Sequence, residues 1–87
     1  MGKFIGNDEL TKDVLYVLTY YYEYVRKVVT PRKIVLVLRK DMLGYKDLPF
    51  DWLVGEVKAR LEFLVHSGDI KKLAKGYRPV LDFDLEW

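Results

Sequence analysis

The chain has 87 residues, of which 51% are hydrophobic and 32% charged, with a formal net charge of +2 and no cysteine. A chain of this length supports one small domain with a single core. The absence of cysteine excludes disulfides and thiolate metal sites as additional stabilisation of that core, so oligomerisation is the remaining way to stabilise it. The net charge is too small to indicate nucleic-acid binding by itself, and no apolar run is long enough to span a membrane.

The first predicted helix covers residues 7–29, with Asn7 as a suitable N-cap and Glu9 near the positive end of the helix dipole. Its apolar residues recur at alternating intervals of four and three, which is the seam of a heptad. Further apolar residues widen this seam, so the helix must be covered on more than one side. We therefore predict a homodimer contact, formed by Val14, Leu18, Tyr21, Tyr22 and Val25. The alternative is that this helix lies deep within a monomer.

A run of tyrosines at positions 20–22, followed by Tyr24, suggests base stacking on a nucleic acid as one interpretation. Successive residues of an α-helix point about 100° apart, so these rings cannot form one stacking platform. We expect most of them to be core or interface aromatics whose hydroxyl groups reach the rim.

The second predicted helix covers residues 31–43, because Thr30 is a suitable N-cap and Pro31 fits the first helical position. A buried stripe follows at helical spacing, formed by Ile34, Val35, Leu38 and Met42. The run 34–38 is rich in β-branched residues, so a buried strand is the alternative. The cap and the charged pairs at both ends of the run favour the helix. Gly44 is expected to end it, and residues 45–49 form the turn that follows.

The third predicted helix covers residues 50–67, with Asp47 or Asp51 as its N-cap. Its inward face is formed by Val57, Leu61, Leu64 and Val65. Its outward face is formed by Asp51, Gly55, Lys58, Ala59 and Glu62, with Arg60 at the flank. Gly68 can adopt the left-handed conformation that closes a helix.

A β-ribbon is predicted for residues 69–83, with a tight break at Lys75-Gly76. Four cations crowd this ribbon: Lys71, Lys72, Lys75 and Arg78. Pro79 fits an edge strand. Residues 81–87 alternate apolar and acidic side chains, which predicts a strand-like tail packed on the body. Metal binding by its carboxylates is the alternative.

A helix that ends in glycine and runs directly into a basic ribbon resembles the third helix and wing of the winged helix-turn-helix family. The family's apolar pattern falls on Val57, Leu61, Leu64, Gly68 and Ile70. The resemblance implies one α+β winged-helix domain over residues 1–87, with three helices, a two-stranded β-wing and the C-terminal tail. The turn before the third helix is longer than in the simplest helix-turn-helix proteins.

By this resemblance, the third helix approaches the major groove of double-stranded DNA through Lys58 and Arg60. The wing and the second helix contact phosphates through Lys71, Lys72, Lys75, Arg78, Arg39 and Lys40. The acidic residues of the third helix (Asp51, Glu56 and Glu62) oppose groove insertion. The alternative role for the lysines of the wing is protective, because lysines on an exposed edge strand discourage pairing with strands of other molecules. Gly55 permits close approach to a phosphate, although close helix packing is the simpler interpretation.

Enzymatic activity is not expected, because His66 and Ser67 are adjacent on a helix and no third group completes a catalytic set. No cofactor motif or metal-ligand spacing is present, and no small-molecule substrate is evident. The resemblance implies a dimeric transcriptional regulator that binds DNA. The alternative is a winged-helix module for protein–protein interaction.

The side-chain amide content is low, with no Gln and a single Asn. A bias toward ion pairs and away from thermolabile amides is typical of hyperthermophiles. Together with the resemblance, this composition predicts a protein of a thermophilic archaeon or one of its viruses. The first six residues are too short for a secretory signal, so a cytoplasmic location is expected.

Overall fold

The computed structural model describes residues 9–80, which form three α-helices followed by a two-stranded antiparallel sheet, an α+β architecture. The helices are α1 (Glu9–Tyr20), α2 (Pro31–Asp41) and α3 (Phe50–Ser67), and the strands are β1 (Ile70–Leu73) and β2 (Gly76–Pro79). No helix in this range is long and apolar enough to cross a membrane. The predicted Asn7 cap and the predicted tail strand lie outside the described residues.

The first helix is shorter than predicted, because the chain leaves it before Val29. After α1 the helix widens into a π-helical turn over Tyr21–Val25 and closes at Arg26, whose backbone is left-handed with φ 66°. Val29 then pairs with Tyr77 of β2 through two main-chain hydrogen bonds of 3.2 and 2.8 Å. The helical prediction for residues 26–29 was wrong because the β-branched Val29 is used as a third, single-residue strand beside β2.

The second helix begins as predicted, since the backbone N–H of Lys33 donates to Thr30 Oγ1 at 3.2 Å and Pro31 occupies the first turn. Ile34, Val35 and Leu38 are buried, so the helical interpretation of this run is confirmed over the strand. The helix ends at Asp41, before the predicted 43. A 3-10 turn over Leu43–Tyr45 follows, so Gly44 lies inside that turn.

The third helix has the predicted bounds, but its predicted cap is wrong. Pro49, in an extended conformation, is the N-cap and supplies no side-chain hydrogen bond, so neither Asp47 nor Asp51 caps the helix. At the other end Gly68 adopts φ 88°, and its N–H is directed at the carbonyl groups of Leu64 and Val65. This left-handed residue turns the chain from α3 into β1, as the sequence predicts.

The ribbon, meaning β1, β2 and their connecting turn, pairs Ile70 with Pro79 and Leu73 with Gly76. Its turn residues are therefore Ala74 and Lys75, one position before the predicted break. The N–H of Tyr77 points to Val29. The main-chain nitrogen of Pro79, two residues further along β2, points to the same side of the strand, beyond the single-residue strand at Val29. This position suits a residue that has no N–H. The predicted strand residues 81–83 lie outside the described range.

Gly76 is what brings the ribbon against the rest of the fold. A Cβ at this position would lie 2.5 Å from the carbonyl oxygen of Val29, closer than any side chain tolerates, and φ is +154°. Only glycine therefore permits β2 to approach Val29 this closely. The buried core under the ribbon draws on all three helices and both strands, and its fully buried members include Val14, Leu18, Ile34, Leu38, Leu53, Val57, Leu61 and Ile70.

Candidate nucleic-acid interface

The outward face of α3 agrees with the sequence at most positions. Asp51, Gly55, Lys58 and Glu62 are exposed, while Ala59 is half-buried. Lys58 is therefore the cation that this face presents, beside two exposed carboxylates. Trp52 and Phe63, which the sequence analysis left unassigned, are also exposed. They are eleven residues apart, three helical turns, so both project from nearly the same side of the helix.

Arg60 does not lie on this outward face, so its position gives no support to the contact with DNA predicted for it. The residue is only 6% exposed. Its Nη1 donates to the side-chain Oε1 of Glu56, one turn earlier, and also to the Glu56 carbonyl oxygen at 3.3 Å. The intrahelical pair partly compensates the burial of this charge.

The predicted cations of the ribbon divide between its two faces. Lys71 lies opposite Arg78 in the register, so their side chains share one face. Lys72 lies opposite Tyr77 on the other face, and Lys75 occupies the turn. The three lysines are exposed. Two like charges placed directly opposite each other are destabilising in a sheet, which favours an anion between or above them.

Arg78 is held more closely than the lysines. Its guanidinium carbon lies 5.0 Å from the centre of the Tyr22 ring, and its Nη1 donates to the carbonyl oxygen of Pro79 at 2.8 Å. The residue is half-buried. Arg78 thereby fastens the ribbon to the end of the first helix.

Arg39, predicted to contact phosphate, also has a structural task. Its Nη2 donates to the carbonyl oxygen of Lys46 at 3.2 Å, which fastens the turn before α3 to α2. The guanidinium carbons of Arg39 and Arg32 lie 6.0 and 4.9 Å from the centre of the Phe50 ring. The seven-residue spacing of the two arginines places both on one side of α2, a signal that the sequence analysis did not use.

Lys40, predicted to contact phosphate, is exposed beside this arginine pair. A shallow recess of about 550 Å³ is lined by Leu36, Arg39, Lys40, Lys46 and Asp47. The structure therefore adds Arg32 and Lys46 to the predicted cations of the second helix. Lys46 was missed because its sequence position in a turn gives no indication of the surface to which it belongs.

The predicted dimer residues of the first helix do not share one surface. Val14 and Leu18 are 0% and 1% exposed within a single chain, so their assignment to a dimer contact was wrong: α1 packs against α2, α3 and β2 of the same chain. Tyr21 and Tyr22 are half-buried, and Val25 is exposed. Tyr21 packs below Lys33, whose Nζ lies 5.7 Å from the ring centre.

The exposed side of the first helix instead carries a tyrosine ladder of Tyr16, Tyr20 and Tyr24, which are 62%, 45% and 74% exposed. The ring centres of Tyr16 and Tyr20 are 6.4 Å apart with the rings stacked, and those of Tyr20 and Tyr24 are 5.3 Å apart. Four-residue spacing aligns these rings on one face of the helix. Of the tyrosines weighed from the sequence for base stacking, Tyr20 and Tyr24 belong to this set, whereas Tyr16 was not among them.

Other polar groups of residues 9–80 form a small hydrogen-bonded set at the end of α3. Ser67 Oγ lies 2.8 Å from Asp69 Oδ2 and 3.1 Å from the Leu64 carbonyl oxygen, at the end of α3, while His66 is exposed. No group of three or more metal-ligating side chains occurs among these residues.

No protein-family model, curated protein or solved structure matches this chain.

Proposed function

We propose that the protein is a winged helix-turn-helix transcriptional regulator that binds double-stranded DNA mainly through phosphate contacts of its ribbon. The observation that carries this proposal is the placement of three exposed lysines, Lys71, Lys72 and Lys75, on a ribbon docked firmly against the body. The order of three helices and an antiparallel ribbon is the layout of that family. Phosphate contacts of this kind give affinity that carries little sequence information.

The second helix supplies further phosphate contacts in this proposal. Lys40 and Lys46 flank the recess beside Arg39, and Arg32 lies on the same side. On α3, Lys58 is the residue that would reach a base edge in the major groove. Asp51 and Glu62 are exposed on that face and repel phosphate, so the helix contributes less to affinity than the ribbon does.

The test is DNA affinity of charge-removal variants, measured by fluorescence anisotropy on a labelled duplex of random sequence. Removal of ribbon charge in a Lys72→Ala, Lys75→Ala variant should weaken binding similarly for all sequences, and the dependence on salt should become shallower. Lys33→Ala on α2 is the control, because it removes an exposed lysine to which the proposal assigns no contact. Equal affinities of all three proteins would reject the proposal.

We propose further that the regulator is a homodimer, formed through the tyrosine ladder in place of the buried seam. The ladder is flanked by exposed Lys12 on its N-terminal side and by exposed Glu23 near its C-terminal end. Antiparallel pairing of two first helices therefore brings Lys12 of one copy near Glu23 of the other while the rings pack together. A Tyr20→Glu variant should shift the mass in solution from two chains to one. A wild-type mass of one chain would reject this proposal.

A second candidate function is favoured by Trp52 and Phe63 on α3. Exposed aromatic side chains on the helix that would otherwise meet DNA suit a protein partner, and the nearby carboxylates suit it better than a phosphate backbone. In that case a Trp52→Ala, Phe63→Ala variant loses its protein partner, and the ribbon variants leave that partner's binding unchanged.

A further inference from the structure

Arg26 has a backbone conformation that ordinary residues avoid. Among residues 9–80, Arg26 is the only residue other than glycine with a positive φ, and its backbone angles are φ 66° and ψ 40°. Helices often end in such a left-handed residue, but glycine normally occupies the position because it has no Cβ. An arginine here stores strain that a glycine would remove. Strain of this kind persists mainly at functional positions, so the side chain of Arg26 is a candidate for a functional contact.

The surface around Arg26 is a small cleft of one charge sign. Arg26, Lys27, Val28 and Lys75 line a recess of about 500 Å³. We call these four residues the cationic cleft. The ionisable lining residues are all basic, and of the described carboxylates none lines the recess. The ion pair found between described residues joins Arg60 to Glu56 on α3, away from this cleft.

The cleft joins two parts of the chain that the fold keeps in fixed relation. Arg26 and Lys27 follow the first helix, whereas Lys75 belongs to the turn of the ribbon. The two meet because Val29 pairs with Tyr77 and because Gly76 lies against the Val29 main chain. Three cations are thus brought together by rigid main-chain contacts, which lowers the entropy lost when they bind an anion.

We propose that the cationic cleft is a phosphate-binding site for the nucleic-acid backbone, and that Arg26 keeps its strained conformation because its guanidinium contributes to this site. The inference rests on the proposed DNA-binding function and extends the contact surface from the ribbon to the end of the first helix. A phosphate group has the charge and the acceptor oxygens that a guanidinium and two ammonium groups would bind together.

The decisive variant is Arg26→Gly, because strain and function predict opposite effects on two measurements. Removal of the left-handed arginine should raise the melting temperature by about 2–8 °C. The same change should weaken binding to a random DNA duplex roughly tenfold. The slope of log affinity against log salt should become shallower by about 0.9, which corresponds to one phosphate contact. Lys27→Ala should weaken DNA binding without the gain in stability, and Lys33→Ala on α2 is the control for loss of one exposed charge.

The possible outcomes separate this inference from the proposed function. A more stable Arg26→Gly protein with unchanged DNA affinity would show that Arg26 only closes the helix and would overturn the inference, while the ribbon proposal stands. A lower melting temperature would overturn the argument from strain. If the wild-type chain binds no DNA, titration with inorganic pyrophosphate decides. Amide NMR shifts at residues 26–28 and Lys75 would support a site for free phosphate groups, and no shifts there would overturn it.

Discussion

Replacement of Gly76 by alanine tests whether the ribbon is fastened through Val29. The added Cβ would lie 2.5 Å from the Val29 carbonyl oxygen and 2.7 Å from its carbonyl carbon, so the two strands must separate. Two main-chain hydrogen bonds join Val29 to Tyr77, and each contributes roughly 0.5–1.5 kcal/mol. The unfavourable φ of +154° adds about 1–3 kcal/mol of strain. We expect Gly76→Ala to lower the free energy of unfolding by about 2–6 kcal/mol.

Urea denaturation followed by circular dichroism measures this change directly. Gly55→Ala is the matched control, since nothing lies within 4 Å of the Cβ that it adds to an exposed position of α3. That variant should be more stable than wild type by roughly 0.5–1 kcal/mol, because alanine is the better helix former. If Gly76→Ala were as stable as wild type, the ribbon would not depend on its close contact with Val29, and the rigid placement of Lys75 would have no basis.

Three further variants test single contacts. Thr30→Ala should lower the melting temperature by about 4–8 °C in a thermal scan, because it removes the acceptor for Lys33 N–H at the start of α2; an unchanged temperature would show that the cap contributes nothing. Leu18→Ala should cost about 2–5 kcal/mol in urea denaturation at any protein concentration, since Leu18 is buried within one chain. If the loss of unfolding free energy in Leu18→Ala depended on protein concentration, Leu18 would belong to a dimer contact. Arg60→Met should leave DNA affinity within about twofold of wild type, whereas Lys58→Met should weaken it roughly tenfold. A larger loss of affinity for Arg60→Met than for Lys58→Met would show that Arg60 contacts DNA.

Local signals in the sequence were sufficient for the start of α2 and for the turn from α3 into the ribbon. Thr30 and Pro31 mark the start of α2, and Gly68 marks the end of α3, because caps depend on residues close in sequence. The end of the first helix was mispredicted for the opposite reason. Val29 leaves the helical pattern to pair with Tyr77, a partner far along the chain that periodicity cannot indicate.

The candidate interface was predictable where exposure follows from local alternation, as for Lys71, Lys72 and Lys75 on a short ribbon. Arg60 was misassigned because a flanking position on a helix can face either solvent or a neighbouring element, and the tertiary packing decides which. The tyrosine ladder follows from four-residue spacing alone and was predictable. The cationic cleft was not, since it combines the end of the first helix with the turn of the ribbon.

The central claim, that the ribbon binds DNA phosphates, is tested most directly by the affinity of the wild-type protein for a random duplex over a range of salt concentrations. Contacts from Lys71, Lys72 and Lys75 alone predict that log affinity falls with log salt with a slope of about −2.7 or steeper, at roughly −0.9 per phosphate neutralised. Substitution of all three lysines by alanine should make the slope shallower by about 2.7. Absence of binding at low salt, or a slope that is the same with and without these lysines, would contradict the account.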